Sequence, residues 1–254
     1  MASHSFKAVV LDLFDTLVRW EPERLPEIEW RGRTIHSTIP WIMPAVAERL
    51  GDGARRERFL EVYHEVTEEI GYEREREWLE ITCLERFVRT LERLGIPESD
   101  ERARFAEHLT RTHMAGVRTV TSAPAANAEA VRLIAPKFRI GLLSNFDDAQ
   151  TGREVLEDTG VADLFEPVII SAEVGLRKPN PKIYAMALAM LGLDAADVLF
   201  VGDTPREDIL GPKQAGMRTA WVNRRRVPIP EGIPEPDFTI ESIAELPAIL
   251  GILR

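Results

Sequence analysis

The sequence predicts an α/β protein, a parallel sheet with helices on both faces, interrupted near its start by a smaller all-α module. Three observations predict it. Short apolar runs alternate with helical stretches through the second half of the chain. A lone strand-like run, Lys7 to Leu13, stands far ahead of them. Between the two lies a block from Trp41 to about Met114 whose apolar residues recur at helical spacing.

Taken in order, Lys7 to Leu13 is an aliphatic and β-branched run ending at an acidic, Thr-containing turn, the pattern of a buried strand with a carboxylate at its C-terminal end. Residues 21–38 are irregular, and Glu27 to Ile35 reads as a small hairpin turning at Gly32. In the block that follows, Phe59, Val62, Tyr63 and Val66 mark one face of about four helices, with breaks at Gly51-Asp52-Gly53, Gly71 and Gly95-Ile96-Pro97. The run Glu73-Arg74-Glu75-Arg76-Glu77 reads as a solvated helix face with near-neighbour ion pairs. After Ser122-Ala123-Pro124 a helical stretch ends near Lys137. Strands are then expected at Ile140 to Leu143, Val168 to Ser171, Val198 to Val201 and Thr219 to Val222, with helices around Pro181 to Leu191 and Asp208 to Ala215. The simplest organisation is a discontinuous core, residues 1–18 and 118–254, with residues 19–117 inserted after the first strand. No internal repeat or low-complexity segment is apparent.

Composition narrows the function. A chain of 254 residues, 44% hydrophobic, can bury a sizeable core in one large domain or two small ones. Its 32 basic against 42 acidic residues give a formal charge of −10, so no broad basic face is implied and no nucleic acid partner is expected. An anionic small-molecule substrate must then meet locally placed cations. The single cysteine, Cys83, lies among helix formers and reads as a packing residue, in keeping with a reducing compartment. The opening MASHSFKAVVLDLFDTLV is apolar only briefly and is interrupted by Asp12 and Asp15. It is expected to be neither signal peptide nor membrane span, so no membrane partner is expected and the default location is cytoplasmic. Either a monomer or a homodimer is compatible with these features.

In an open parallel sheet, ligands bind beyond the carboxyl ends of the strands. Four such positions carry polar residues here: Asp12 with Thr16, Ser144 with Asn145, Lys178 in Gly175-Leu176-Arg177-Lys178-Pro179, and Asp203 with Asp208 in Val201-Gly202-Asp203-Thr204-Pro205-Arg206-Glu207-Asp208. Clustered carboxylates repel one another unless a cation sits among them, and Mg²⁺ favours carboxylate oxygens. Asp12, Asp203 and Asp208 are the candidate set.

In sequence order these segments resemble the four motifs of the haloacid dehalogenase superfamily, in the subgroup whose helical cap follows the first strand of a Rossmann-like core. The resemblance implies that Asp12 is a nucleophile forming an acyl-phosphate or, in the dehalogenating branch, an ester. It implies that Thr16 and Ser144 hydrogen-bond the substrate's anionic oxygens while Asn145 shapes the same loop. Lys178 offsets the charge of Asp12 and of the incoming phosphate. Asp203 ligates Mg²⁺, and Asp208 either ligates it or holds Lys178 and the metal's waters. Phe14 contributes its backbone carbonyl to the metal.

One departure matters. Phosphatases of this superfamily usually carry an aspartate two residues after the nucleophile as general acid and base, and here that position is Phe14. Asp15 follows it, but in an extended segment adjacent side chains point opposite ways, so it is not expected to substitute. The dehalogenating branch also has an aromatic residue there, yet lacks the metal-binding form of the fourth motif that Asp203 and Asp208 keep. Three readings stay open: Mg²⁺-dependent phosphatase, carbon–halogen hydrolase, and a weakly active or inactive binding protein. Substrate choice is expected to lie in the cap and in residues 21–38, with Arg31, Arg33 and His36 as candidate contacts.

Overall fold

The computed structural model describes residues 6–51 and 53–252. Asp52, in the first expected helix break, and the first five residues lie outside them. The chain divides into two compact units, residues 1–20 with 122–254, and residues 21–121.

In the first unit, β1 (Ala8–Leu11) is fully buried, and β2 (Arg19–Trp20) leads away from it. The second unit opens with the hairpin of β3 (Glu27–Trp30) and β4 (Arg33–His36), whose strands pair antiparallel. Its two-residue turn, Arg31-Gly32, has φ of 48° and 73°. Positive φ at both central residues matches the strand twist of a tight hairpin, which is why glycine stands there. Four helices follow: α1 (Ile39–Leu50), α2 (Ala54–Glu77), α3 (Cys83–Arg93) and α4 (Asp100–Thr119). Thr82 and Ser99 cap α3 and α4 by accepting from the N–H groups of Glu85 and Arg102, each satisfying an otherwise orphan donor.

Two expectations for this unit need correction. Gly71 does not break the chain; it lies inside α2, exposed and at ordinary helical φ. One interior glycine costs about 1 kcal/mol, less than the burial of Val62, Val66 and Ile70 on the same helix returns. The helix stops instead at Trp78, which turns left-handed at φ 51°. A Cβ at position 71 would meet nothing within 4 Å. Gly71→Ala is therefore expected to raise stability by about 0.5–1 kcal/mol, read as a higher denaturant midpoint at unchanged slope; a lower midpoint would contradict this account. Nor does the Glu73 to Glu77 run pair mainly with itself. Glu73 takes Arg89 from α3 at 2.8 Å, and Arg74 reaches the buried Glu80 at 2.9 Å. Within the run, Arg76 pairs with Glu77 at 2.6 Å.

The chain returns through β5 (Thr121–Ser122) and then builds α5 (Ala125–Ile134), β6 (Arg139–Ser144), α6 (Ala149–Glu157), β7 (Phe165–Ile170), α7 (Ser171–Val174), α8 (Pro181–Leu191), β8 (Val198–Gly202), α9 (Gly211–Gln214), β9 (Arg218–Val222), β10 (Phe238–Ile240) and α10 (Leu246–Ile249). The six-stranded sheet runs β10-β9-β8-β1-β6-β7 with parallel pairing throughout. This is the α/β class the alternation predicts. Both faces are covered: Val9 and Leu11 pack with Val131, Ile134 and Val155 on one side, and Ala8 and Val10 with Ile183, Tyr184 and Ala187 on the other. Burial on both faces explains why the strands read as continuous apolar runs. The helical segment expected from Asp208 begins three residues earlier, as a π-helical turn over Pro205–Leu210, because Pro205 at its first turn has no N–H to leave unpaired.

Because β1 lies between β6 and β8, the chain passes to one side of β1 first and to the other later. That switch of direction opens a crevice at the carboxyl end of β1.

Candidate active site

Asp12 is the first residue past β1. Its N–H donates to Val201 O at 2.9 Å, so sheet pairing continues one residue beyond the strand and fixes where the carboxylate starts. The ends of the neighbouring strands supply Ser144 on one side and Asp203 on the other. Carboxylate oxygens of Asp12, Asp203 and Asp208 lie within 4.8 Å of one another. Lys178, only 2% exposed, donates from Nζ to Asp12 Oδ1 and to Asp208 Oδ1, both at 2.7 Å. Asp208 Oδ2 accepts the N–H of Thr204 at 2.8 Å. A Cβ on Gly202 would collide with the Asp208 side chain, so the sheet needs a glycine where that carboxylate folds back over it.

Asn145 ties these loops together. Its Nδ2 donates to Lys178 O at 2.9 Å and to Glu207 Oε2 at 2.8 Å, while its Oδ1 accepts the Lys178 N–H at 2.7 Å. Thr16 and Ser144 are buried, and among the described residues Thr16 Oγ1 and Ser144 Oγ have no hydrogen-bond partner. Buried hydroxyls are ordinarily satisfied, so two orphans beside a buried ion pair point to a ligand whose oxygens would take them.

The electrostatics follow from burial. Desolvation pushes Asp12 well above the usual carboxylate range, with Asp208 and Asp203 adding to the rise and Lys178 opposing it. Asp203 is pushed up to about 7, first by burial and then by Asp208. For Lys178 burial works downward, but Asp12 and Asp208 outweigh it and hold the amine charged. Three carboxylates thus face one ammonium. This excess of buried negative charge, with an all-oxygen donor set, suits a hard divalent cation.

A stability prediction follows. A carboxyl whose folded pKa is raised binds its proton more tightly when folded, so its charged form costs stability as pH climbs from about 4 towards 7. Asp12 and Glu207, both raised by burial, act in the same sense. Half-buried His64, whose pKa burial lowers, opposes them, as do Glu69, Glu101 and Asp237, held low by their basic partners, at the acid end of that range. The melting temperature in EDTA is expected to fall between pH 5 and pH 8, with Mg²⁺ restoring more at pH 8 than at pH 5, where protons compete for the same oxygens. Equal Mg²⁺ stabilisation at both pH values would contradict the cation assignment.

Phe14 packs its ring 4.6 Å from that of Phe146 and 6.1 Å, edge-on, from that of Trp20. Asp15 is not extended as expected but left-handed, with φ 54°. Alternation of side chains is therefore not what keeps it from replacing the missing acid. Its carboxylate is occupied instead, by Arg224 at 2.6 Å and the N–H of Trp20 at 3.4 Å.

The remaining candidates lie in the hairpin of the helical unit and form no cluster. Arg31 sits in the turn, stacked over Trp30 and paired with Glu68 at 3.3 Å. Arg33 is exposed on β4, and His36 donates from Nδ1 to Leu25 O at 3.0 Å. Three positions apart on one strand, Arg33 and His36 face opposite ways.

Sequence reasoning missed several supporting residues. Glu207 lies inside the Asp203 to Asp208 spacing, where the pattern admits any residue, and Tyr184 donates to its carbonyl at 2.5 Å. Asn127 donates to the carbonyls of Thr16 and Leu17 at 3.2 and 2.9 Å, pinning the turn after Asp12. Trp221 donates from Nε1 to Asp203 O at 2.9 Å. None belongs to a motif, and only the fold brings them near.

The family model of haloacid dehalogenase-like hydrolases matches residues 6–216. The chain belongs to that family. Among curated relatives, pyrimidine 5'-nucleotidase YjjG of Escherichia coli is 45% identical over 114 residues, 44% of this chain and 49% of its own length. Human N-acylneuraminate-9-phosphatase is 35% identical over 115 residues, 45% of this chain and 46% of its own. The chain thus spans about half the length of these relatives. Among solved structures, a 2-haloacid dehalogenase from Pseudomonas syringae pv. Tomato DC3000 superposes with a TM-score of 0.72 at 23% identity, covering 97% of this chain and 98% of that one. A HAD phosphatase from Thermococcus onnurineus gives 0.62 at 22%, covering 98% and 100%. At those identities the structures bear on the fold. Among the described residues of this family member, no helix is long and apolar enough to cross a membrane.

Proposed function

We propose that this hydrolase is a cytoplasmic, Mg²⁺-dependent phosphatase of a small phosphorylated metabolite, with Asp12 as its nucleophile. The observation that carries the reading is the pairing of a buried carboxylate–ammonium contact with two buried, unpartnered hydroxyls, Thr16 Oγ1 and Ser144 Oγ. Such a pocket offers a nucleophile, a cation and donors for phosphoryl oxygens. The two curated relatives described above are named as a nucleotidase and a phosphatase.

In this reading an Asp12 oxygen attacks phosphorus and the ester P–O bond breaks, leaving an aspartyl phosphate and an alkoxide. Thr16 and Ser144 donate to the phosphoryl oxygens, and Lys178 balances their charge. Water then attacks phosphorus, releasing phosphate and restoring the Asp12 carboxylate. Mg²⁺ would be held by Asp12, Asp203, Asp208 and the Phe14 carbonyl, and would supply Lewis-acid stabilisation of charge. Arg31, Arg33 and His36 are the proposed contacts to the rest of the substrate.

Phe14 donates no proton, so the departing oxygen must leave as an anion or draw on solvent. General acid catalysis contributes roughly 10²- to 10⁴-fold. Activated aryl phosphates are therefore expected to be turned over at least about a hundredfold faster than alkyl phosphates, and Phe14→Asp to raise alkyl turnover selectively. Equal kcat/KM on both classes would show that another group supplies the proton. The first test of the reading as a whole is phosphate release across a broad phosphomonoester panel with Mg²⁺.

Phe14 also favours a second reading, cleavage of a carbon–halogen bond, whose leaving group needs no proton. The acidic cluster of Asp203 and Asp208 weighs against it. Sustained chloride release from chloropropionate in EDTA would reverse that judgement. Silence in both assays would favour a ligand-binding role.

A further inference from the structure

A pocket of about 400 Å³ opens within the α/β unit beside the acidic cluster. Asp203 and Asp15 form one side, and the segment after β9, with Asn223, Arg224 and Arg225, forms the other. Its walls are otherwise apolar, including Trp221 and Val227. The shape is fixed by hydrogen bonds: Trp221 Nε1 holds Asp203 O, and Asn223 closes its turn by donating from Nδ2 to Val227 O at 2.7 Å and accepting the Val227 N–H at 3.0 Å.

Charge picks out one residue in that wall. Arg224 is neutralised by Asp15 at 2.6 Å, and Arg226 by Glu241 at 2.5 Å. Arg225 between them is exposed, and among the described residues no hydrogen bond or ion pair engages it. The pocket's own acids are accounted for. Asp15 is held by Arg224, and Asp203 belongs to the cluster that suits a cation. A guanidinium at a preformed, largely apolar pocket is a fork for a carboxylate or phosphate.

The pocket shares Asp203 with the cluster, and an Asp203 oxygen lies within 4.8 Å of one of Asp12. For a molecule whose phosphoryl group meets Asp12, an alcohol portion that turns past Asp203 would enter this opening. We propose that the pocket is a leaving-group subsite, in which Arg225 binds a second anionic group carried by the substrate's alcohol. The apolar walls take the carbon skeleton between the two anions. The assignment to a leaving group rests on the phosphatase reading; the anion site itself does not.

Two measurements on the full chain separate the claims. Calorimetric titration compares para-hydroxyphenylacetate with para-ethylphenol, which match in size but differ in the carboxylate. The acid is expected to bind at least about fivefold more tightly. Arg225→Ala should abolish that preference and Arg225→Lys should keep part of it, since the residue is exposed and its loss leaves the core intact. Turnover then compares para-carboxymethylphenyl phosphate with para-ethylphenyl phosphate. The kcat/KM ratio should favour the acid through KM and fall towards one in Arg225→Ala. Equal binding of the two phenols by the wild type, or a preference that survives in Arg225→Ala, would overturn the anion site. A turnover ratio near one in an active wild type would overturn the leaving-group role. An Arg225-dependent binding preference with neither ester hydrolysed would sink the phosphatase reading and keep the anion site.

Discussion

Lys178→Met is expected to cost roughly 3–5 kcal/mol of stability at pH 8 without metal, lowering the melting temperature by about 6–20 °C. The ammonium is 2% exposed and bonds two carboxylates at 2.7 Å each. Removing it leaves Asp12, Asp203 and Asp208 facing one another in a site with little water to screen them. Methionine fills similar volume, so the loss is one of charge compensation and not of packing. The deficit should shrink at pH 5, because Asp12 and Asp203, whose pKa burial has raised, take up protons readily there. Mg²⁺ at pH 8 should recover part of it. A variant as stable as the wild type at pH 8 in EDTA would mean that Lys178 does not hold the cluster together.

The second large effect is kinetic. Asp12→Asn is expected to lower kcat on an aryl phosphate by at least about 10³-fold, because the amide is nearly isosteric but a poor nucleophile. The same change removes one negative charge from the cluster. The melting temperature in EDTA should therefore stay level or rise, in contrast to Lys178→Met. Loss of activity with an unchanged or raised melting temperature separates a chemical role from a structural one. A variant retaining a tenth of the wild-type rate would remove Asp12 from the mechanism.

The parallel α/β class was readable because β1, β6, β8 and β9 are buried on both faces and so write themselves as continuous apolar runs. The strand β10, Phe238–Ile240, was not. It is three residues long, pairs on one side only and follows a Pro-rich stretch, leaving no periodicity to detect. Gly71 misled because a local helix cost was weighed without the packing that overrides it. Asp15 misled because a left-handed turn was read as a continuing strand. At the site, the residues at strand ends were visible as motif positions, and the structure brings Asp12, Asn145, Lys178 and Asp208 into one bonded group, with an Asp203 oxygen within 4.8 Å of the other two carboxylates. The residues that hold that group, Glu207, Asn127, Tyr184 and Trp221, act through one or two hydrogen bonds each across long sequence separations, which no local pattern records. The Arg225 pocket was invisible for a related reason. A run of three arginines looks uniform in sequence, and only the ion pairs of its neighbours set the middle one apart.

The nucleophile assignment is tested most directly by a crystal structure of the wild-type protein grown with Mg²⁺ and beryllofluoride, which mimics a phosphoryl group on a carboxylate. The expected result is beryllium bonded to an Asp12 oxygen, with its fluorides accepting from Thr16 Oγ1, Ser144 Oγ and Lys178 Nζ. Beryllofluoride bound at another carboxylate, with Asp12 unmodified and still paired to Lys178, would contradict it.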